Sequence, residues 1–256
     1  MKTEVFGKGK PLVLIHGWGM SSRVWMDIAE RLSGKNKIYL IDLPGMGCSK
    51  MIYPYSIAKI LEEINAIAEE QISIMGWSLG GQLAIEYQNK YRKKVKQLIL
   101  VSTTPCFVNN NNNWNYGVER KVFDNFSSSV LYDWHSAMRK FFNLQLIGAK
   151  DRKNILAKLE NYFLNKKSPS IEALGKGLRF LIDNDYRDKL KRIKIPVLIL
   201  SGNKDKLIPL KASEFLYENI LNSRLKIIDG ATHIPFMSHQ EIFIQHVSEF
   251  MKINDK

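Results

Sequence analysis

The chain has 256 residues, 45% of them hydrophobic and 11% aromatic, with a formal net charge of +13. That length suits one α/β domain with an insertion or two small domains, and the apolar content is ample for a large core. No apolar run approaches the roughly 18 residues of a membrane span, the N-terminus carries no secretory pattern, and the two cysteines, Cys48 and Cys106, are too few for a disulfide framework. A soluble cytoplasmic protein is therefore expected.

Apolar strand-like runs alternate with helix-like runs, which predicts a mainly parallel sheet with helices on both faces. Residues 11–15 read as a buried strand, 22–32 as a helix, and 37–41 as a strand stopped by Asp42-Leu43-Pro44-Gly45. Residues 56–70 place apolar side chains at helical spacing, at Ile57, Ile60, Leu61, Ile64 and Ile67. Residues 71–75 form the strand that leads into Gly76-Trp77-Ser78-Leu79-Gly80-Gly81, 79–91 the helix after it, and 95–101 a further strand. The rhythm then breaks at a polar asparagine run, residues 109–113, and only helical patterns follow, such as 130–146 and 154–164. It resumes with a strand at 195–200, a helix at 212–220, a strand at 224–228 and a C-terminal helix to about residue 251. Three segments follow: a core part at 1–108, a helical cap at 109–187 and a second core part at 188–256. The cap is expected after the sixth strand, over the strand C-termini, where ligands bind in open α/β sheets.

G-x-S-x-G between a strand and a helix presents a serine hydroxyl on a sharp turn. A serine hydroxyl is a weak nucleophile and needs a histidine to take its proton and a carboxylate to hold that histidine. Ser78, Asp205 and His233 occur in that order, the last two just after later strands. Asp183, Asp185 and Asp229 are the rivals of Asp205 and read as loop or cap residues. His135, His239 and His246 read as cap, surface or packing residues. The developing oxyanion needs backbone donors; the N–H of Leu79 is one, and the loop His16-Gly17-Trp18-Gly19 offers that of Trp18 as the second, with His16 steadying the loop. Metal-ligand spacing, a phosphate loop and a dinucleotide fingerprint are all missing from the sequence, so neither metal nor cofactor is implied.

These segments, with Asp42-Leu43-Pro44-Gly45-Met46-Gly47 and Ala231-Thr232-His233-Ile234-Pro235-Phe236, resemble the BioH carboxylesterases of biotin synthesis, a branch of the α/β-hydrolase superfamily. The resemblance runs the whole chain in order. It implies hydrolysis of the methyl ester of pimeloyl attached to acyl carrier protein, by a Ser78–His233–Asp205 triad with Trp18 and Leu79 as oxyanion donors and Phe141 lining an acyl channel. It also implies cap cations that hold the acidic carrier. Residues 134–179 carry ten basic and three acidic residues, a local +7. Several arginines of the family pattern are lysines here and one position is Ser136; Lys140 and Lys153 match best, with Arg139 and Arg152 beside them. Neither a nucleic-acid nor a membrane partner is expected, and the chain is expected to act as a monomer. Two other readings remain open: a general short-chain carboxylesterase, lactonase or C–C bond hydrolase, and a non-catalytic ligand-binding protein on the same scaffold.

Overall fold

The computed structural model describes residues 1–67, 71–110, 113–164 and 169–253. Outside the described residues lie the end of the expected helix 56–70, Asn111 and Asn112 of the asparagine run, and Lys166 and Lys167 of the basic cap. The elements in chain order are β1 (Thr3–Phe6), β2 (Lys10–Ile15), α1 (Met26–Leu32), β3 (Asn36–Ile41), α2 (Ile57–Ile67), β4 (Ile72–Trp77), α3 (Leu79–Lys90) and β5 (Val95–Val101). Then come α4 (Arg120–Tyr132), α5 (Trp134–Gln145), α6 (Arg152–Leu164), α7 (Ile171–Asp183) and α8 (Arg187–Leu190). The chain finishes with β6 (Val197–Gly202), α9 (Leu210–Asn219), β7 (Ser223–Ile228), α10 (Pro235–Ser238) and α11 (Gln240–Ile253).

The seven strands form one sheet in the order β1-β3-β2-β4-β5-β6-β7. Every pairing is parallel except that of β1 with β3. Central strands covered on both faces by helices must be apolar throughout. All six residues of β4 and all six of β6 are accordingly buried. The edge strand β7 alternates exposed and partly buried positions and carries Arg224 and Lys226, charges that discourage pairing with another chain. From β2 the chain passes to β3 on one side and then returns to β4 on the other. The loops after β2 and β4 diverge at that switch point and leave a crevice between them.

The helical block from α4 to α7 follows the fifth strand in chain order, not the sixth, because the sheet opens with the single strand β1 ahead of β2. The continuous helix expected over residues 130–146 is two helices. The chain breaks at Asp133, whose carboxylate accepts the N–H of Ser136 (3.1 Å) and so caps α5 in place of a fourth helical turn. The helix α4 ahead of it lies within the stretch read as helical and begins ten residues before the expected start at residue 130. The block leaves and rejoins the sheet at one place, where Tyr186 N–H donates to the Pro105 carbonyl (2.8 Å) and Cys106 bridges Asp185. α7 turns Ala173, Leu174, Gly177, Leu178 and Leu181 inward, an apolar stripe aimed at the crevice. Among the described residues no helix is long and apolar enough to cross a membrane, and no group of three or more His, Cys, Asp or Glu side chains is placed to hold a metal ion.

Candidate active site

Ser78 sits between β4 and α3 at φ 54°, ψ −119°, a conformation that a side chain adopts only under strain. The surroundings hold it there. Its N–H donates to the Val101 carbonyl (3.0 Å), and its carbonyl accepts from Gly81 N–H (2.9 Å) and from the Thr103 hydroxyl (2.7 Å). The turn closes only because Gly76 and Gly80 lack side chains: a Cβ at Gly76 would collide with the Gly80 carbonyl, and one at Gly80 with the carbonyl of Ile15. Strain therefore lies where a short sharp turn has to lift one hydroxyl out of the sheet.

Among the four aspartates weighed, Asp205 is the one that meets His233. His233 Nδ1 donates to Asp205 Oδ2 at 2.8 Å, and both side chains are 1% exposed. Asp205 Oδ1 accepts the N–H groups of Leu207 (2.8 Å) and Ile208 (2.9 Å), so the carboxylate cannot rotate away. Asp229 instead accepts from Asn203 (2.7 Å), and Asp185 pairs with Arg187 (2.6 Å). With Nδ1 protonated towards Asp205, His233 Nε2 carries the lone pair. It is buried and has no hydrogen-bond partner among the described residues. An acceptor of that kind is available to take a proton from a neighbouring hydroxyl.

The loop after β2 is anchored by His16, which is fully buried. Nδ1 donates to the Gly17 carbonyl (2.8 Å), and Nε2 accepts the N–H of Leu43 (3.0 Å). Both ring nitrogens are thus engaged in holding loops, consistent with a steadying role. Asp42 ties the neighbouring turns, accepting from Ser22 N–H (2.8 Å) and Cys48 N–H (2.7 Å). The backbone N–H groups of Trp18 and Leu79 donate to no acceptor among the described residues. Buried amides without a partner are costly, and such pairs recur where an anion is to be received.

Burial depresses the pKa of His16 below 6.5, against smaller opposing effects of the Asp42 charge and the Gly17 carbonyl. Burial also lowers His239 and His246. The unfolded chain then binds protons that the folded chain does not as pH falls through 6.5, so acid favours unfolding in that window. The midpoint of thermal unfolding is expected to drop between about pH 7.5 and about pH 5.5. A constant or rising midpoint would contradict it.

A cavity of about 170 Å³ opens from Ser78 between the sheet and the helices α4, α5 and α7. Apolar side chains dominate its lining, among them Trp18, Phe123, Phe126, Phe141, Leu178 and Leu207, and the exposed Lys140 stands at its outer end. Phe141 packs edge-on against Trp18 (5.2 Å between centroids), so both aromatic residues singled out in the sequence line one wall. Beyond the mouth, Arg139, Lys140 and Arg152 line a surface groove with Ser136, Asn143, Leu144 and Ile147. Arg139 is held by Glu160 (3.3 Å) and Arg152 by the Asn143 amide (2.6 Å). Lys153 is exposed on α6 and does not line the groove.

Three contributors were not legible. The Trp77 indole N–H donates to the His233 carbonyl (2.9 Å), the Gln145 carbonyl accepts the His233 N–H (3.3 Å), and Thr103 steadies the serine turn. Trp77 lies beside Ser78 in the Gly76-to-Gly81 turn, but a long-range bond from a strand to a loop leaves no periodic signal.

Residues 10–240 match the model of the alpha/beta hydrolase fold. The chain is 38% identical over 252 residues to the pimeloyl-[acyl-carrier protein] methyl ester esterase of Wigglesworthia glossinidia brevipalpis, covering 97% of this chain and 96% of that one. It is 33% identical over 253 residues to the protein of the same name from Aeromonas hydrophila subsp. hydrophila, covering 98% and 99%. The structure superposes on an esterase from Exiguobacterium antarcticum with a TM-score of 0.90 at 24% identity, covering 98% and 94%, a likeness of fold alone.

Proposed function

Because the chain belongs to the α/β-hydrolase family and, within it, to the pimeloyl-[acyl-carrier protein] methyl ester esterases, it is an ester-hydrolysing enzyme, and we propose that Ser78, His233 and Asp205 carry the reaction on a pimeloyl methyl ester borne by acyl carrier protein. The observation that carries this reading is an apolar cavity that Ser78 lines and that shares Lys140 and Leu144 with a basic surface groove. The cavity is apolar along most of its lining, as an acyl chain requires. Ser78 and the exposed Lys140 both line it, and Lys140 also lines the groove that Arg139 and Arg152 share.

The chemistry proceeds in two halves. His233 Nε2 takes the Ser78 proton as Oγ attacks the ester carbonyl, and Asp205 stabilises the resulting imidazolium. The hydroxyl and Nε2 make no hydrogen bond to each other, a contact that commonly tightens only when substrate binds. The oxyanion is received by the N–H groups of Trp18 and Leu79. Collapse expels methanol, protonated by His233, and leaves an acyl-enzyme. Water deprotonated by His233 then attacks the acyl carbon, and Ser78 leaves with that proton, freeing the carboxylate. One chain supplies every group, so the reaction needs no second copy. The helical block over residues 109–187 acts as the cap that walls the cavity and presents the cations.

A positive surface at the mouth steers an acidic carrier, and such steering is screened by salt. Raising ionic strength from about 0.05 M to about 0.5 M is expected to lower kcat/KM for a carrier-linked ester about tenfold, with a free short p-nitrophenyl ester changing less than about twofold. Equal responses would favour a general esterase. Restored growth of a biotin-requiring strain lacking its own pimeloyl-ester esterase tests the substrate; failure of the wild-type chain to restore growth while it hydrolyses short esters would overturn it.

A further inference from the structure

The Trp18 side chain is gripped by three helices of the cap. Its indole N–H donates to the Leu174 carbonyl of α7 (2.9 Å), a buried bond spanning 156 residues of sequence. Its ring meets Phe126 of α4 edge-on at 5.5 Å and Phe141 of α5 edge-on at 5.2 Å. The ring rests directly on Gly177, three residues along α7 from Leu174 and on the same face of the helix. A Cβ at Gly177 would stand 2.7 Å from Trp18 Cδ1 and 3.1 Å from Nε1. Glycine inside a helix weakens it relative to alanine. At Gly177 the reason for accepting that weakness is visible, since no other residue leaves room for the indole. Gly175 on the same helix has nothing within 4 Å of an added Cβ.

The backbone of Trp18 belongs to the loop whose other side is fixed by His16. One side of this short loop is therefore tied, through His16, to the loop after β3, and the other, through the indole, to the cap. We infer that Gly177 and the Leu174 carbonyl are positioning groups for the hydrolysis: they seat the Trp18 indole and so set where the Trp18 backbone N–H points. This rests on the reading of that N–H as an oxyanion donor. The arrangement makes the cap more than a cover. The ring that sets the donor also lines the acyl cavity, so the packing of the cap around a bound chain and the aim of the donor are fixed together.

Gly177→Ala forces the ring to shift while raising the helix propensity of α7, so a kinetic loss without a stability loss marks the seat itself. With a short p-nitrophenyl ester, Gly177→Ala is expected to lower kcat about tenfold with KM within about twofold, as a misaimed donor acts mainly in the transition state. Labelling of Ser78 by a fluorophosphonate, which needs the same donors, should slow by a similar factor. Gly175→Ala is the control and stays within about twofold of wild type in both assays. Trp18→Phe removes the indole bond and the clashing ring edge, so adding Gly177→Ala to it should cost less than Gly177→Ala costs alone. Wild-type rates in Gly177→Ala, or additive losses in the double variant, overturn the inference. Should Gly177→Ala fail to fold, Trp18→Phe alone carries the test: a lowered kcat supports the seat, and an unchanged kcat overturns it. If wild-type Ser78 resists labelling, the hydrolase reading fails and this inference with it; if it labels and Gly177→Ala labels equally fast, only the seat is refuted.

Discussion

Ser78→Ala is expected to lower kcat for ester hydrolysis by about 10⁴-fold or more while leaving the fold intact, a loss of about 5 kcal/mol or more of transition-state stabilisation. The kinetic half follows from the geometry. Ser78 is the hydroxyl lifted onto the strained turn and opening on the apolar cavity, and His233 Nε2 is a buried acceptor with no other hydrogen-bond partner. The stability half follows from what the hydroxyl does not do. The turn is closed by the Ser78 backbone with Val101, Gly81 and Thr103, and by the missing side chains at Gly76 and Gly80. Alanine keeps all of these. Initial rates on a short p-nitrophenyl ester, beside thermal unfolding of both proteins, check both halves. Full activity in a well-folded Ser78→Ala protein would sink the proposed mechanism.

Asp205→Asn is expected to cost on the order of 10³–10⁴-fold in kcat with a change in stability within about 1 kcal/mol. Two backbone N–H groups, of Leu207 and Ile208, point at Oδ1 of the carboxylate. An asparagine must keep its oxygen towards them, which turns its NH₂ towards His233 Nδ1. The imidazole then carries its proton on Nε2 and cannot accept one from Ser78. The loss is thus one of tautomer as much as of charge. The same change should slow fluorophosphonate labelling of Ser78 by a comparable factor. Labelling at the wild-type rate would show that the Asp205–His233 pair does not set the basicity of this site.

The residues of the proposed chemistry were legible because local chain geometry announces them. A strand that ends in Gly76-Trp77-Ser78-Leu79-Gly80 and runs into a helix admits few conformations, and Asp205 and His233 each follow a strand whose apolar pattern fixes its direction. Parallel strands deliver their following loops to the same edge of the sheet, and at that edge Asp205 meets His233. The cap was less legible. Its helices are amphipathic on faces that pack against one another, and the break at Asp133 depends on one side chain turning back to cap α5. Of the basic residues, composition located the cluster but not its partition: Arg139, Lys140 and Arg152 share a groove, and Lys153 does not.

By itself the sequence determined the alternation of strands and helices and the serine on its turn, because each rests on contacts within a few residues. Only the tertiary structure decided which aspartate meets His233, that Trp77 and Gln145 hold the histidine loop, that an apolar cavity joins Ser78 to Lys140, and that the Trp18 ring is seated on Gly177. Each of those joins residues tens to more than a hundred positions apart. Such contacts are set by how the cap closes over the sheet and leave no periodicity in the chain.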